Sequence, residues 1–304
     1  MTRYRRKFHK IARKLTNLEL QQGAQDFSLS MEGVLRDLEE SHGSRYFLGS
    51  YSESGIMLAL DKFGITRELR RRGFDTLRIH LDTSDPYRQR LRLFFDRQDP
   101  EHLLGELIVH KAQFTSKSRD LLPEECYPLS LLHVEWLVLQ DPTLDFAPER
   151  PQLPGQEHPG LGVGSRVLEI LYLVAKHQRT QGLLIVPHYY HTARLFSREF
   201  KFINPEYQAL LNALIRDLGD YSLSLQAWAV EGEAVRWQKS GRRFQWHPEE
   251  QILPSDPGLK EHFVSEDYQS QVTACVQKYA FKLDREHLAE VLPAYLTPEL
   301  EDEK

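Results

Sequence analysis

The chain has 304 residues, 40% hydrophobic and 27% charged, with a formal net charge of −5. That is ample apolar material for a large core in one extended domain or two. Its two cysteines, Cys126 and Cys275, are too few for a disulfide framework, no Cys/His spacing resembles a structural zinc site, and no apolar run reaches the length of a bilayer span. The start of the chain shows no apolar segment of signal-peptide type, so cytoplasm is the expected compartment.

Charge is uneven. Arg3, Arg5, Arg6, Lys7, Lys10, Arg13 and Lys14 precede residue 15 with no acid among them, leaving −12 for the remainder. Phe8, Ile11, Leu15 and Leu18 share one helical face, so residues 3–18 read as a basic amphipathic helix. Such a helix can meet an anionic membrane or nucleic acid. Docking of its apolar stripe on the acidic body is the preferred reading, because no further basic patch of a nucleic-acid binder accompanies it.

Three more helices are expected: Ser28–Glu40 with Met31, Val34, Leu35 and Leu38 inward, Glu53–Phe63, and a short one with Thr66 as N-cap and Gly73 at its end. The period then changes to two. Leu77, Ile79 and Leu81 alternate with polar neighbours, as do Leu91, Leu93 and Phe95, and further strands are expected at Leu103–Phe114 and Leu131–Leu139. Short links among the first three predict an antiparallel meander. In the fourth, Leu132, Val134, Trp136 and Val138 form the expected inward face, with His133, Glu135 and Leu137 opposite.

The proline-rich stretch Asp141–Gln156 reads as an insertion. It leads to Pro159-Gly160-Leu161-Gly162-Val163-Gly164-Ser165, after which Val163, Val167, Leu171 and Val174 recur at helical spacing, with Gly182 placed to stop the helix. Alternate glycines directly before a helix let backbone N–H groups approach a phosphate. A Walker loop would need Lys then Ser or Thr after the last glycine, and Ser165-Arg166 stands there. The dinucleotide fingerprint would need Gly-x-Gly-x-x-Gly and a later carboxylate, and Leu183–Pro187 contains none. A glycine turn with no ligand is the plain alternative.

Gly160 to Leu168, then Gly182-Leu183-Leu184-Ile185-Val186, then Ala193 to Phe202 resemble the acyl-CoA-binding core of the GNAT (N-acetyltransferase) superfamily. The resemblance covers about a quarter of the chain. It implies an α+β, acyl-CoA N-acyltransferase-like fold: a mixed, mostly antiparallel sheet flanked by helices, with extra N- and C-terminal helices. It divides the chain into a helical extension (1–73), a GNAT-like core (74–246) and a C-terminal helical extension (247–304). By the same resemblance Val138, Leu139, Gly160, Leu161, Gly162, Val163, Gly164 and Ser165 hold the cofactor, acetyl-CoA or another acyl-CoA, with no metal. Pro159 stands where the family has Gln or Arg, Tyr190 where it has Asn, Lys201 where it has Gly, and Ser197 where many members carry a tyrosine that protonates the leaving thiolate.

The implied chemistry is attack of an amine on the thioester carbonyl. Glu135 is the candidate base, with an outward solvated carboxylate as the alternative, and Tyr190 or Tyr189 is the candidate acid. His188 and His191, three apart, suggest a metal pair only weakly, since no third ligand is near in sequence. Two other functions compete: an acyl-CoA-binding or sensing protein without turnover, favoured by Pro159 and Ser197, and an interaction protein using the basic helix.

Beyond Phe202, Tyr207 to Leu218 is expected as a helix packed on the core. Leu223–Val230, Ala234–Lys239 and Arg242–Trp246 are expected as strands completing the sheet. Two helices close the chain, one burying Tyr268, Val272, Cys275, Val276 and Tyr279, the other Leu288, Val291 and Leu292.

Overall fold

The computed structural model describes residues 5–12, 20, 46–114, 121–123, 126–293 and 296. The helix expected at Ser28–Glu40 lies outside them. The chain is α+β, with antiparallel sheet pairing and flanking helices. It falls into two compact units that cut across the three sequence-based segments. The first takes residues 1–112, 132–143 and 160–180, and the second takes 113–131, 144–159 and 181–304.

The first unit opens with α1 (Arg5–Ala12), α2 (Glu53–Lys62) and α3 (Ile65–Arg70). In α1 the docking reading of the basic segment holds where it is described: Phe8 is buried, its ring 4.6 Å from that of Phe63, while Lys7 and Lys10 face solvent. Ser52 caps α2 by accepting from Gly55 N. Gly64, in the left-handed region at φ +76°, turns the chain into α3 and takes the N-cap position expected for Thr66, whose hydroxyl instead donates to Asp61 across the turn at 2.7 Å.

Then come β1 (Leu77–Asp82), β2 (Gln89–Phe95), β3 (Leu103–Phe114) and β4 (Leu129–Leu139) in spatial sequence. The first three form the expected antiparallel meander, pairing Leu81 with Leu91 and Leu91 with Leu107. Beside β3, β4 has Gln140 N donating to Leu104 O at one end and His133 meeting the His110 ring further along, an antiparallel progression. The alternation expected in β4 fails midway. Leu132 and Val134 are buried, but Trp136 is 47% exposed, and Leu137 and Leu139 line the same apolar cavity as Leu132. A strand that changes phase holds an irregularity, which re-aims its side chains.

Helix α4 (Gly164–His177) packs its apolar stripe toward this sheet, and Leu161 and Val163 join Ile65, Leu69, Ile79 and Leu93 in one core. A cavity of about 210 Å³ remains among these elements. The helix ends before Gly182: Arg179 takes φ +57°, and both the amide and the hydroxyl of Thr180 donate to Ala175 O.

In the second unit β5 (Gly182–Ile185), β8 (Gln251–Pro254) and β6 (Lys201–Phe202) form an antiparallel run with β8 central. Gly182 is a strand residue whose missing side chain admits its neighbour: a Cβ there would stand 2.6 Å from Leu253 O. Between these strands come α5 (Tyr190–Phe196), α6 (Pro205–Asp217), α7 (Leu223–Glu231) and β7 (Val235–Trp237). The segment expected as a first C-terminal strand is therefore the helix α7. Ser222 caps it by accepting from Leu225 N, and Leu225, Ala229 and Val230 enter the core at helical spacing. Gln226, also buried, pairs with the Tyr190 hydroxyl, so both faces are covered and the apolar residues mimic a strand in sequence. Arg242–Trp246 forms only an isolated bridge, Arg236 with Arg243. β7 leaves the expected sheet to pair with β9 (Phe281–Leu283).

The chain end is helical, with α8 (Pro257–Val264), α9 (Glu266–Val276) and α10 (Arg285–Val291). Tyr268 of α9 is buried and donates to Phe202 O at 2.6 Å. No helix among the described residues is long and apolar enough to cross a membrane.

Because the obstacle at Gly182 is backbone, Gly182→Ala should destabilise the protein by about 1–3 kcal/mol. Denaturant unfolding checks this, with a lower midpoint expected at an unchanged slope.

Candidate active site

The turn before α4 is pinned to the end of β4. Gly160 bridges Gln140, and Leu161 N donates to Leu139 O at 3.3 Å. Gly162 sits at φ +64°, a conformation costing a residue with a side chain about 1–2 kcal/mol. Leu161 and Val163, each 1% exposed, anchor the turn from below. Val163 is the N-cap and has no side-chain acceptor, and the first turn of α4 contains no acid. Among the described residues the amides of Val163, Gly164 and Ser165 donate to no protein acceptor, and Arg166 and Val167 are the first to be satisfied, both by Val163 O. Orphan N–H groups at the positive end of a four-turn helix favour an anion.

The two glycines differ in what they do. Backbone conformation requires one at 162, but a Cβ on Gly164 would meet nothing within 4 Å and its φ is unexceptional. Alanine would serve a helix better there by about 1 kcal/mol. Glycine at 164 therefore leaves open space before the orphan amides that the fold itself does not use. Beside it lies Arg72, a residue the sequence reading missed. Its Nη2 stands 3.2 Å from the point a Gly162 Cβ would occupy, and its Nε is buried with no hydrogen-bond partner. Glu68 and Asp141 approach this guanidinium only to 3.9 Å. The Val138 carbonyl lies against Gly105 of β3.

Glu135, the candidate base, belongs to a cluster on β2, β3 and β4. Arg88 Nε donates to Glu135 Oε2 at 2.5 Å, and His110 Nδ1 lies 3.1 Å from Oε1 without the alignment of a hydrogen bond. Partial burial works to raise the Glu135 carboxyl, but the Arg88 hydrogen bond and the charges of Arg88, His110 and His133 outweigh it and hold the group below its ordinary range. Glu135 is thus ionised and tied, suited to orienting a neighbour rather than taking a proton. His133, whose ring meets that of His110, is driven down to about 4 by burial and by the His110 charge, so it is a neutral imidazole at neutral pH. Donor atoms of His110, His133 and Glu135 all lie within 4.8 Å of one another and could hold a metal ion, against the opposing charge of Arg88.

The other candidates fall in the second unit. Tyr190 is 2% exposed, donates to Gln226 Oε1 at 2.9 Å and is pushed far above its ordinary range by burial. Its place is in the core, held there by α7, which the sequence reading took for a strand. Tyr189 is half-buried, stacked on His191 and lying over Gly155. His191 is buried, whereas His188 is exposed. The Ser197 hydroxyl donates to Arg194 O.

Burial holds both His133 and His191 near 4 rather than 6.5. The unfolded chain binds these protons more readily, so the stabilisation is complete above about pH 6.5 and is lost as pH falls toward 4. Denaturant midpoints should drop between pH 7 and pH 4.5, and His191→Asn should flatten part of that drop. Comparison of the chain with protein-family models and with curated proteins finds no match to either.

Proposed function

We propose that this protein is an acyl-CoA-dependent N-acyltransferase acting on an amine of a small molecule, peptide or protein. The observation that carries the reading is the uncapped opening turn of α4, where amides without protein acceptors face space left by a glycine the fold does not need. The order of strand, glycine loop, helix, strand and helix over β4, α4, β5 and α5 accords with the GNAT resemblance. Amides of Val163, Gly164 and Ser165 would hold the diphosphate of coenzyme A, with the guanidinium of Arg72 adding charge-assisted donors.

When bound, the acyl thioester supplies a carbonyl carbon to which the amine nitrogen bonds as the carbon–sulfur bond breaks. The proton released by the amine needs a base, and His110, set against the ionised Glu135, takes that role in place of Glu135 itself. A second reading, a protein that binds acyl-CoA without turnover, is favoured by two observations. The Tyr190 hydroxyl is committed to Gln226 and the Ser197 hydroxyl to Arg194, so neither is free to meet a departing thiolate.

Thermal-shift and calorimetric titration with coenzyme A and acetyl-CoA separate these readings. Gly164→Ala should leave the unliganded Tm unchanged or raised while weakening coenzyme A. Arg72→Gln should weaken it roughly tenfold or more. Coenzyme A failing to bind, or binding Gly164→Ala as well as the wild type, would overturn the assignment. With an amine panel, thiol release should fall about 10²–10⁴-fold in His110→Gln, with coenzyme A affinity retained. Tight binding with no thiol release from any amine would select the non-catalytic reading.

A further inference from the structure

His133 has no part in the reaction proposed above, yet it completes a set of three donors on one face of the sheet. His133 and Glu135 lie two apart in β4, so their side chains leave the same side of the strand. His110 reaches them from the neighbouring β3, its ring meeting that of His133 edge to face with centroids 4.8 Å apart. One donor atom of each residue lies within 4.8 Å of the other two, and no second group of this kind occurs among the described residues. Strands hold such spacings more firmly than loops do.

The atoms of the cluster are incompletely satisfied by protein partners. His110 Nδ1 is buried without a hydrogen-bond partner, and Glu135 Oε1 stands 3.1 Å from it, out of hydrogen-bond alignment. Two donors bound to one ion at zinc-like lengths are about 3.0 Å apart at an octahedral angle and about 3.4 Å apart at a tetrahedral one. The observed separation falls between these, so a cation seated against both atoms would satisfy both. Arg88 occupies the other carboxylate oxygen, Oε2, which leaves Oε1 to bind alone. That guanidinium is more than half exposed, so water and salt screen its charge. Arg90 and Arg92, further along β2, are met by Glu106.

Donor chemistry names the class of ion. Two imidazoles and one carboxylate suit divalent first-row transition metals, whereas magnesium and calcium call for oxygen ligands. Three protein ligands also leave a coordination position open to water or a further ligand. We infer that His110, His133 and Glu135 form a binding site for a divalent transition-metal ion of the zinc class. The site goes beyond the acyl-CoA reading and does not rest on it. An ion on His110 Nδ1 keeps the ring proton on Nε2, so occupancy and service of His110 as the base exclude each other.

Calorimetric titration of the full chain, untagged and stripped with EDTA, with zinc and separately with magnesium tests this, and cobalt supplies a visible spectrum of the site. A single zinc ion should bind, magnesium should not, and cobalt should show d–d bands that zinc abolishes. His110→Asn and His133→Asn should each weaken zinc about 100-fold or more, beyond the roughly 10–100-fold that loss of an outer partner costs. Arg88→Gln, at an exposed position, keeps a donor for Oε2 and removes the charge, so it should tighten zinc several-fold. Thermal unfolding without metal checks that each variant folds. No zinc binding, magnesium bound as tightly as zinc, or zinc affinity unchanged in His133→Asn and Arg88→Gln would overturn the site. Coenzyme A bound without zinc would overturn this inference alone, and zinc bound at these residues without coenzyme A would overturn only the acyl-CoA reading.

Discussion

The features of the first unit that bear on function depend on how the glycine turn is tied to the end of β4. The Leu161 amide on the Leu139 carbonyl and the bridge from Gly160 to Gln140 fix where α4 begins. The left-handed Gly162 then aims its first turn. With Leu161 and Val163 buried beneath, the N–H groups of that turn cannot rotate away to find other partners. The same anchoring lays the apolar stripe of α4 along the sheet, so the uncapped turn and the apolar face of the helix follow from one constraint.

The sheet of this unit separates two kinds of chemistry by the alternation of its strands. Leu107 and Val109 of β3 face the cavity, while His110, next in sequence, stands with His133, Glu135 and Arg88. Arg88 settles the character of that polar cluster, because a carboxylate gripped on one oxygen by a guanidinium stays charged and directs its other oxygen to the imidazole. On the proposed reading Glu135 positions the imidazole of His110, which acts as the base.

An apolar space of about 210 Å³ lies along α4 among the described residues. The void and the uncapped helix are thus two places where packing and hydrogen bonding fall short of what the same backbone could achieve, and both lie along α4. Local departures of this sort concentrate where a protein binds something else.

Much of the architecture was legible because its signals are local. Period-two alternation at Leu77–Asp82 and Leu103–Phe114, the helical stripe from Val163 to Val174 and the spacing of Gly160, Gly162 and Gly164 need no knowledge of what lies opposite. Other features depend on partners far along the chain. Whether Leu223–Val230 coils or extends was decided by Ser222 at its start and by Tyr190 accepting the company of Gln226. The change of phase in β4 that turns Trp136 outward, and the meeting of Arg88 with Glu135 across 47 residues, likewise have no trace in any short window. By itself the sequence determined the first four strands, the helix after the glycine turn and the turn that precedes it, since backbone geometry and hydrophobic period are properties of neighbours. Only the tertiary structure decided which hydroxyls are buried, which carboxylate is tied and which apolar stripe borders a void, because those follow from groups that packing alone brings together.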